Sequence, residues 1–158
     1  MLKGQMMDQP LLVSRLIDFA AEVHGPGTIV TSTVEGGLHR YTYAQALPRI
    51  ASPANALLAL GVKPGDRVAT LAWNTYRHFE LYYAISGIGA VCHTINPRLA
   101  PDQMSYIVNH AQDKVLFFDL TFVPLIAKLA TAFRPIGTYF AMTDRAHMPK
   151  ESKVPNLL

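Results

Sequence analysis

Between Gly61 and Met142, segments that read as strands alternate with segments that read as helices, and this rhythm constrains the fold more than any other feature. Its clearest stretch, Gly61 to Leu99, reads GVKPGDRVATLAWNTYRHFELYYAISGIGAVCHTINPRL. Lys63-Pro64-Gly65-Asp66 supplies a tight turn, with Pro second and Gly third. Arg67 to Ala72 then predicts a strand. Tyr76 to Ser86 predicts a helix with Phe79, Tyr82, Tyr83 and Ile85 toward a sheet, and Ala90 to Ile95 a second strand. Pro101 to His110 predicts a helix begun by proline in its first turn. Lys114 to Asp119 reads as a strand, Phe122 to Phe133 as a helix and Thr138 to Met142 as a strand. Helices between strands imply right-handed crossovers, so the predicted class is α/β: a doubly wound, mostly parallel sheet with flanking helices.

The residues before this unit follow other patterns. Leu12, Leu16, Phe19, Ala20 and Val23 recur at helical spacing, and Gly25-Pro26 ends that helix. The β-branched run Thr28 to Val34 and the alternating Leu38 to Tyr41 predict a hairpin turned by Glu35-Gly36-Gly37. Thr42 and Gln45 have the spacing of a capping box, which starts a second helix. Pro48 and Pro53 fall inside that helix and each removes a backbone donor, so a kink or break is expected. Gly61 ends it.

Composition narrows the function classes. Half of the 158 residues are hydrophobic and 16% charged, which excludes disorder and suits strands buried on both faces. The net charge of +3 comes from scattered Lys and Arg with no basic run, which argues against nucleic acid as a partner. Cys92 is the one cysteine, so no intrachain disulfide forms and no zinc-ligand spacing exists. Met1 to Pro10 has no leader pattern, and Leu116 to Phe133 is interrupted by Asp119, Pro124 and Lys128, so no transmembrane segment and a cytoplasmic location are expected.

The Gly61 to Leu99 order, ending in His93-Thr94-Ile95-Asn96-Pro97-Arg98-Leu99, resembles the N-terminal region of adenylate-forming (AMP-binding) acyl-CoA synthetases, in their medium- and long-chain fatty acid–CoA ligase branch. The likeness continues through Asp113 to Asp119, DKVLFFD, and reaches back to Thr42. It implies a parent enzyme that joins a fatty acid to CoA through an acyl-adenylate, with ATP, magnesium and CoA. The family's phosphate loop, rich in Ser, Thr and Gly and closed by Pro-Lys, and its C-terminal catalytic lysine have no counterpart in this sequence. The resemblance therefore implies an inactive leading fragment of the large N-terminal domain, with no bound cofactor expected for the fragment alone.

Ligands of open α/β sheets bind outside the carboxyl ends of the strands. That rule selects Trp73, Asn74 and Thr75 after one strand, and Thr94, Asn96 and Arg98 after the next. Asn96 and Arg98 are the candidate cofactor-binding residues, since a planar cation beside a rigid turn can grip a CoA phosphate or an acidic partner segment. The competing structural reading weighs more: Asn96-Pro97 shapes the loop, and Arg98 pairs with a neighbouring carboxylate. His78 falls on the polar side of its helix and His110 at a helix end. His93 lies near a strand end with no partner that spacing can name, and Cys92 reads as a small buried hydrophobe. Gly87-Ile88-Gly89-Ala90 follows a helix and precedes a strand, the reverse of a dinucleotide fingerprint. No catalytic or metal-binding residue emerges.

The expected organisation is a helix and hairpin over 1–41, with dimerisation as its candidate role; an α/β unit over 42–145; and a linker over 146–158. Fatty acid, ATP and CoA are the implied partners of the parent. Self-association, as a homodimer, is expected because strands such as Val68 to Ala72 and Val115 to Phe118 demand cover on both faces, and that cover is expected beyond Leu158. A stand-alone nucleotide- or CoA-binding module and a dimerisation domain remain as alternatives.

Overall fold

The computed structural model describes residues 9–158, so the leader expectation for residues 1–8 lies outside the described residues. The chain runs α1 (Ser14–Val23), β1 (Thr28–Ser32), β2 (Leu38–Thr42), α2 (Tyr43–Ala59), β3 (Arg67–Leu71), α3 (Tyr76–Gly87), β4 (Val91–Thr94), α4 (Pro101–Ala111), β5 (Val115–Phe118), α5 (Val123–Leu129) and β6 (Thr138–Ala141). β1 and β2 form an antiparallel hairpin. The other strands form one parallel sheet in the order β4-β3-β5-β6, with Val68 opposite both Cys92 and Val115.

Alternation along β3 and β5 divides the core between two faces. Val68, Val115 and Phe117 meet Leu57 of α2 and Leu81 and Ile85 of α3. Ala69, Leu71, Leu116 and Phe118 meet Met104 and Val108 of α4, Ile126 of α5, and Phe133. Both faces of the central strands are thus covered by this chain's own helices. The expectation that their cover must come from beyond Leu158 is corrected: crossovers on opposite sides already supply it.

Local chemistry explains the element ends. Thr42 accepts from the Gln45 backbone while the Gln45 side chain returns to the Thr42 N–H, completing the capping box. α2 then continues unbroken through Pro48 and Pro53. The carbonyls that lose their helical donors belong to Ala44 and Arg49, which are exposed residues that water can reach. At the far end Gly61 takes φ +80°, its N–H bonds Leu58 O, and the Val62 N–H bonds Leu57 O. This paired arrangement needs a left-handed residue after the helix, and the side chains of Val62 and Leu57 meet in the core.

Three helices differ from expectation. The stripe assigned to α1 lies largely outward: Leu12, Leu16, Phe19 and Val23 are exposed, while Ile17 and Ala20 pack against α2 and α3. On α3, Leu81 and Ile85 face the sheet; Phe79 and Tyr83 turn instead toward α1 and α2, and Tyr82 is exposed. α3 is packed on two sides, so a single amphipathic stripe could not describe it. α5 is shorter than predicted, entered through a 3₁₀ turn at Leu120–Phe122 and left before Arg134, whose helical conformation Pro135 disfavours.

The hairpin is tied to the sheet layer. Arg77 on α3 donates to Glu35 in the hairpin turn at 2.9 Å, Thr143 Oγ1 donates to the same carboxylate at 2.7 Å, and His39 stacks on Tyr76 at 3.7 Å. In the stretch 146–158, Val154 is buried, and Leu158 and Asn156 exchange backbone hydrogen bonds with the β6 edge at Tyr139 and Ala141. Among the described residues no helix is long and apolar enough to cross a membrane.

Candidate functional site at the carboxyl ends of the strands

The chain leaves β3 outward to β4, then crosses back to β5 and on to β6, so the order of the sheet switches between β3 and β5. Clefts form outside such a switch because the flanking connections diverge. Here β3 runs out at Leu71 and the chain turns through Trp73, Asn74 and Thr75 into α3. Thr75 caps that helix, its hydroxyl accepting from His78 N at 3.4 Å. A cavity of about 300 Å³ opens between this turn and the hairpin, lined by Ile29, Thr31, Asn74, Thr75, His78, Phe79 and Tyr82.

Two buried polar side chains hold the turn. Asp119, at the end of β5, accepts from Trp73 N through Oδ2 at 2.6 Å, while its Oδ1 has no partner among the described residues. His78 Nδ1 lies 3.2 Å from Trp73 O and Nε2 lies 3.0 Å from Thr70 Oγ1. A carbonyl only accepts, so Nδ1 carries the proton and Nε2 accepts from the threonine. Burial pushes the Asp119 carboxyl up and holds His78 below the usual imidazole value, favouring the neutral form of each. Trp73 also donates through Nε1 to Thr121 at 3.4 Å, and its ring lies 5.2 Å from that of Phe122.

The predicted site residues separate into two loops at the same end of the sheet. Trp73, Asn74 and Thr75 lie at the cavity or the turn beside it. Thr94, Asn96 and Arg98 follow β4, where Asn96 Oδ1 accepts from Arg98 N at 2.9 Å and Asn96 O from Leu99 N at 3.2 Å. Asn96 therefore shapes its loop. Arg98 is exposed, and the carboxylate partner expected for it is absent among the described residues.

The histidine readings change most. His78 is buried against β3 rather than on a polar side, because α3 is covered on that side too. His93 has a partner after all: Nδ1 contacts both oxygens of fully buried Asp113, at 3.0 and 2.8 Å, and that carboxylate holds His93 above the usual imidazole value. Twenty residues and one helix separate the two, so spacing gave no signal. Cys92 is half-buried and its thiol is pushed up to about 11, as suits a packed side chain rather than a nucleophile. Gly89 takes φ +77° and a Cβ there would stand 3.2 Å from Pro64, so this glycine serves close turn packing.

Among the described residues no three His, Cys, Asp or Glu side chains come together, and at the α3 N-terminus the His78 N–H is taken by the Thr75 cap. The described residues form scaffold and loop geometry at the sheet's carboxyl end.

Comparison with known proteins places these features in context. The family model described as AMP-binding enzyme matches residues 18–156. The chain is 50% identical over 142 residues to the 3-methylmercaptopropionyl-CoA ligase of Ruegeria lacuscaerulensis, covering 90% of this chain and 26% of that protein. It is 42% identical to the medium-chain-fatty-acid–CoA ligase of Ectopseudomonas oleovorans, covering 88% of this chain and 26% of the relative. Among solved structures, the N-terminal domain of FACL13 from Mycobacterium tuberculosis superposes with a TM-score of 0.75 at 26% identity, over 84% of this chain and 34% of that one. The chain thus spans about a quarter of the length of the curated relatives it matches.

Proposed function

The chain belongs to the AMP-binding enzyme family, and from that premise we propose that it forms the N-terminal portion of an ATP-dependent acyl-CoA ligase acting on a fatty acid or similar aliphatic acid. The observation that carries this reading is the family match over residues 18–156, joined to 50% identity with a relative named for acyl-CoA ligation. In such an enzyme the carboxylate attacks ATP to release pyrophosphate, with magnesium, and the CoA thiol then displaces AMP from the acyl-adenylate. This chain contributes one flank of the large N-terminal domain and none of the phosphate chemistry. A cytoplasmic setting accords with the lone, half-buried Cys92.

The related ligases differ in the acid their names give, from 3-methylmercaptopropionyl through medium to long chains. The test is therefore a panel: pyrophosphate release and acyl-CoA formation by the product of the whole reading frame, with 3-methylmercaptopropionate, octanoate and palmitate. Within this reading, exposed Arg98, on the loop shaped by Asn96, is the residue proposed to meet a CoA phosphate. Arg98→Ala should raise KM for CoA several-fold and leave KM for the acid unchanged; equal KM values for CoA would remove Arg98 from the site.

Homodimerisation is the further partner reading, favoured by the outward apolar stripe Leu12, Leu16, Phe19 and Val23, each more than half exposed. Sedimentation across a hundredfold concentration range tests it, and a monomer throughout would refute it.

A further inference from the structure

Hydrogen bonds from two elements converge on the backbone of one residue, Trp73, whose carbonyl also accepts from Thr75 N at 2.8 Å. Asp119 takes its N–H at 2.6 Å from the end of β5, and His78 reaches its carbonyl at 3.2 Å from α3. The second ring nitrogen of His78 is braced by Thr70 on β3 at 3.0 Å. Both gripping side chains are deeply buried, Asp119 at 0% and His78 at 5% exposure, whereas Trp73 itself is 45% exposed. Burying a carboxyl and an imidazole is costly, and Asp119 still leaves one oxygen without a partner among the described residues. These two groups do not secure a core residue. They secure a surface turn whose next two residues, Asn74 and Thr75, form one wall of the cavity.

We propose that Asp119 and His78 are positioning residues: they hold the Trp73 backbone from two elements and thereby preset the Asn74–Thr75 wall of the cavity at the carboxyl end of β3. The benefit of a preset wall is that a ligand group entering the cavity need not order it, which lowers the entropy lost on binding. The exposed Asn74 amide, which has no hydrogen-bond partner among the described residues, is then the polar group offered to that ligand. This consequence for catalysis rests on the ligase reading; the grip itself does not.

Trp73 is the one tryptophan in the chain, so its fluorescence reports the turn directly. In the 158-residue chain, Asp119→Ala and His78→Ala should shift emission to the red, and acrylamide quenching should rise about twofold, from 45% exposure toward a free indole. Asp119→Asn keeps an acceptor for Trp73 N, and His78→Asn keeps a donor for Trp73 O, so both should retain the wild-type emission. Unchanged emission in the alanine variants, or loss in the asparagine variants of folded protein, overturns the proposal. Should the alanine variants not fold by circular dichroism, amide exchange in the wild type decides: the Trp73 N–H should be protected well beyond its exposed neighbours, and free exchange refutes the grip. In the product of the whole reading frame, Asp119→Ala should lower kcat/KM for at least one of acid, ATP and CoA about tenfold, with Asp119→Asn restoring it. Wild-type-like values for all three refute the positioning role, while a wild type that makes no acyl-CoA defeats the ligase reading and leaves fluorescence and exchange to judge the grip.

Discussion

Removing His93 should reveal how strongly one buried carboxylate depends on its partner. Asp113 is fully buried in the connection just before β5, and the ring of His93 on edge strand β4 is the one side chain bonded to it among the described residues. In His93→Leu that carboxylate keeps its burial and loses its partner, which should destabilise the chain by about 3 kcal/mol near pH 6, within the range for a broken buried pair. That is a large part of the roughly 5–15 kcal/mol that a domain of this size commands. His93→Gln can still donate one N–H and should recover about half of the loss. Because Asp113 raises the folded-state pKa of His93, the stabilisation is full below the unfolded value of about 6.5 and disappears as pH rises through the elevated folded value. Urea denaturation of wild type and variants between pH 5 and 9, followed by circular dichroism, measures both the size and the trend. A cost below about 1 kcal/mol, or one that is equal at pH 6 and pH 9, would refute the reasoning.

Three further outcomes follow from the same structure. Pro53→Ala should restore the backbone bond to Arg49 O in the unbroken α2 and raise stability by about 1 kcal/mol, and a lower melting temperature would show that the proline ring's packing outweighs it. Leu57→Ala empties a fully buried position beneath the α2 C-terminus and should cost about 2–5 kcal/mol in urea unfolding; a loss under 1 would mean the two-faced core is misassigned. Asp119→Asn should gain on the wild type as pH rises, because burial raises the folded-state pKa of Asp119 and the wild type loses stability as pH climbs through it; parallel pH profiles would contradict a carboxyl raised by burial.

The parallel sheet was legible because its signals are local. Turn residues at Lys63 to Asp66, the Thr42 cap and the apolar runs of β3 and β5 each declare themselves within a few positions, and crossover handedness then arranges them. The site was legible only in part. The carboxyl-end rule selected Trp73, Asn74 and Thr75, of which Asn74 and Thr75 line a cavity, yet the groups that hold this turn, Asp119 and His78, required knowing that β5 lies next to β3 and that α3 is covered on two sides. The His93–Asp113 pair was hidden for the same reason: tertiary proximity across α4 leaves no periodic trace. For Pro53 the local rule was sound in energy but did not decide the outcome, since the residues whose carbonyls lose a donor are exposed and α2 packs against α3.

We propose that this chain is the N-terminal portion of an acyl-CoA ligase and holds no phosphate chemistry of its own. Pyrophosphate release with octanoate, ATP-magnesium and CoA, measured in parallel for the 158-residue chain and for the product of the whole reading frame, tests it most directly. The account predicts acyl-CoA and stoichiometric AMP from the whole product and a rate at the buffer baseline from the chain alone. Turnover by the 158 residues, or a whole product inactive with octanoate, palmitate and 3-methylmercaptopropionate alike, would contradict it.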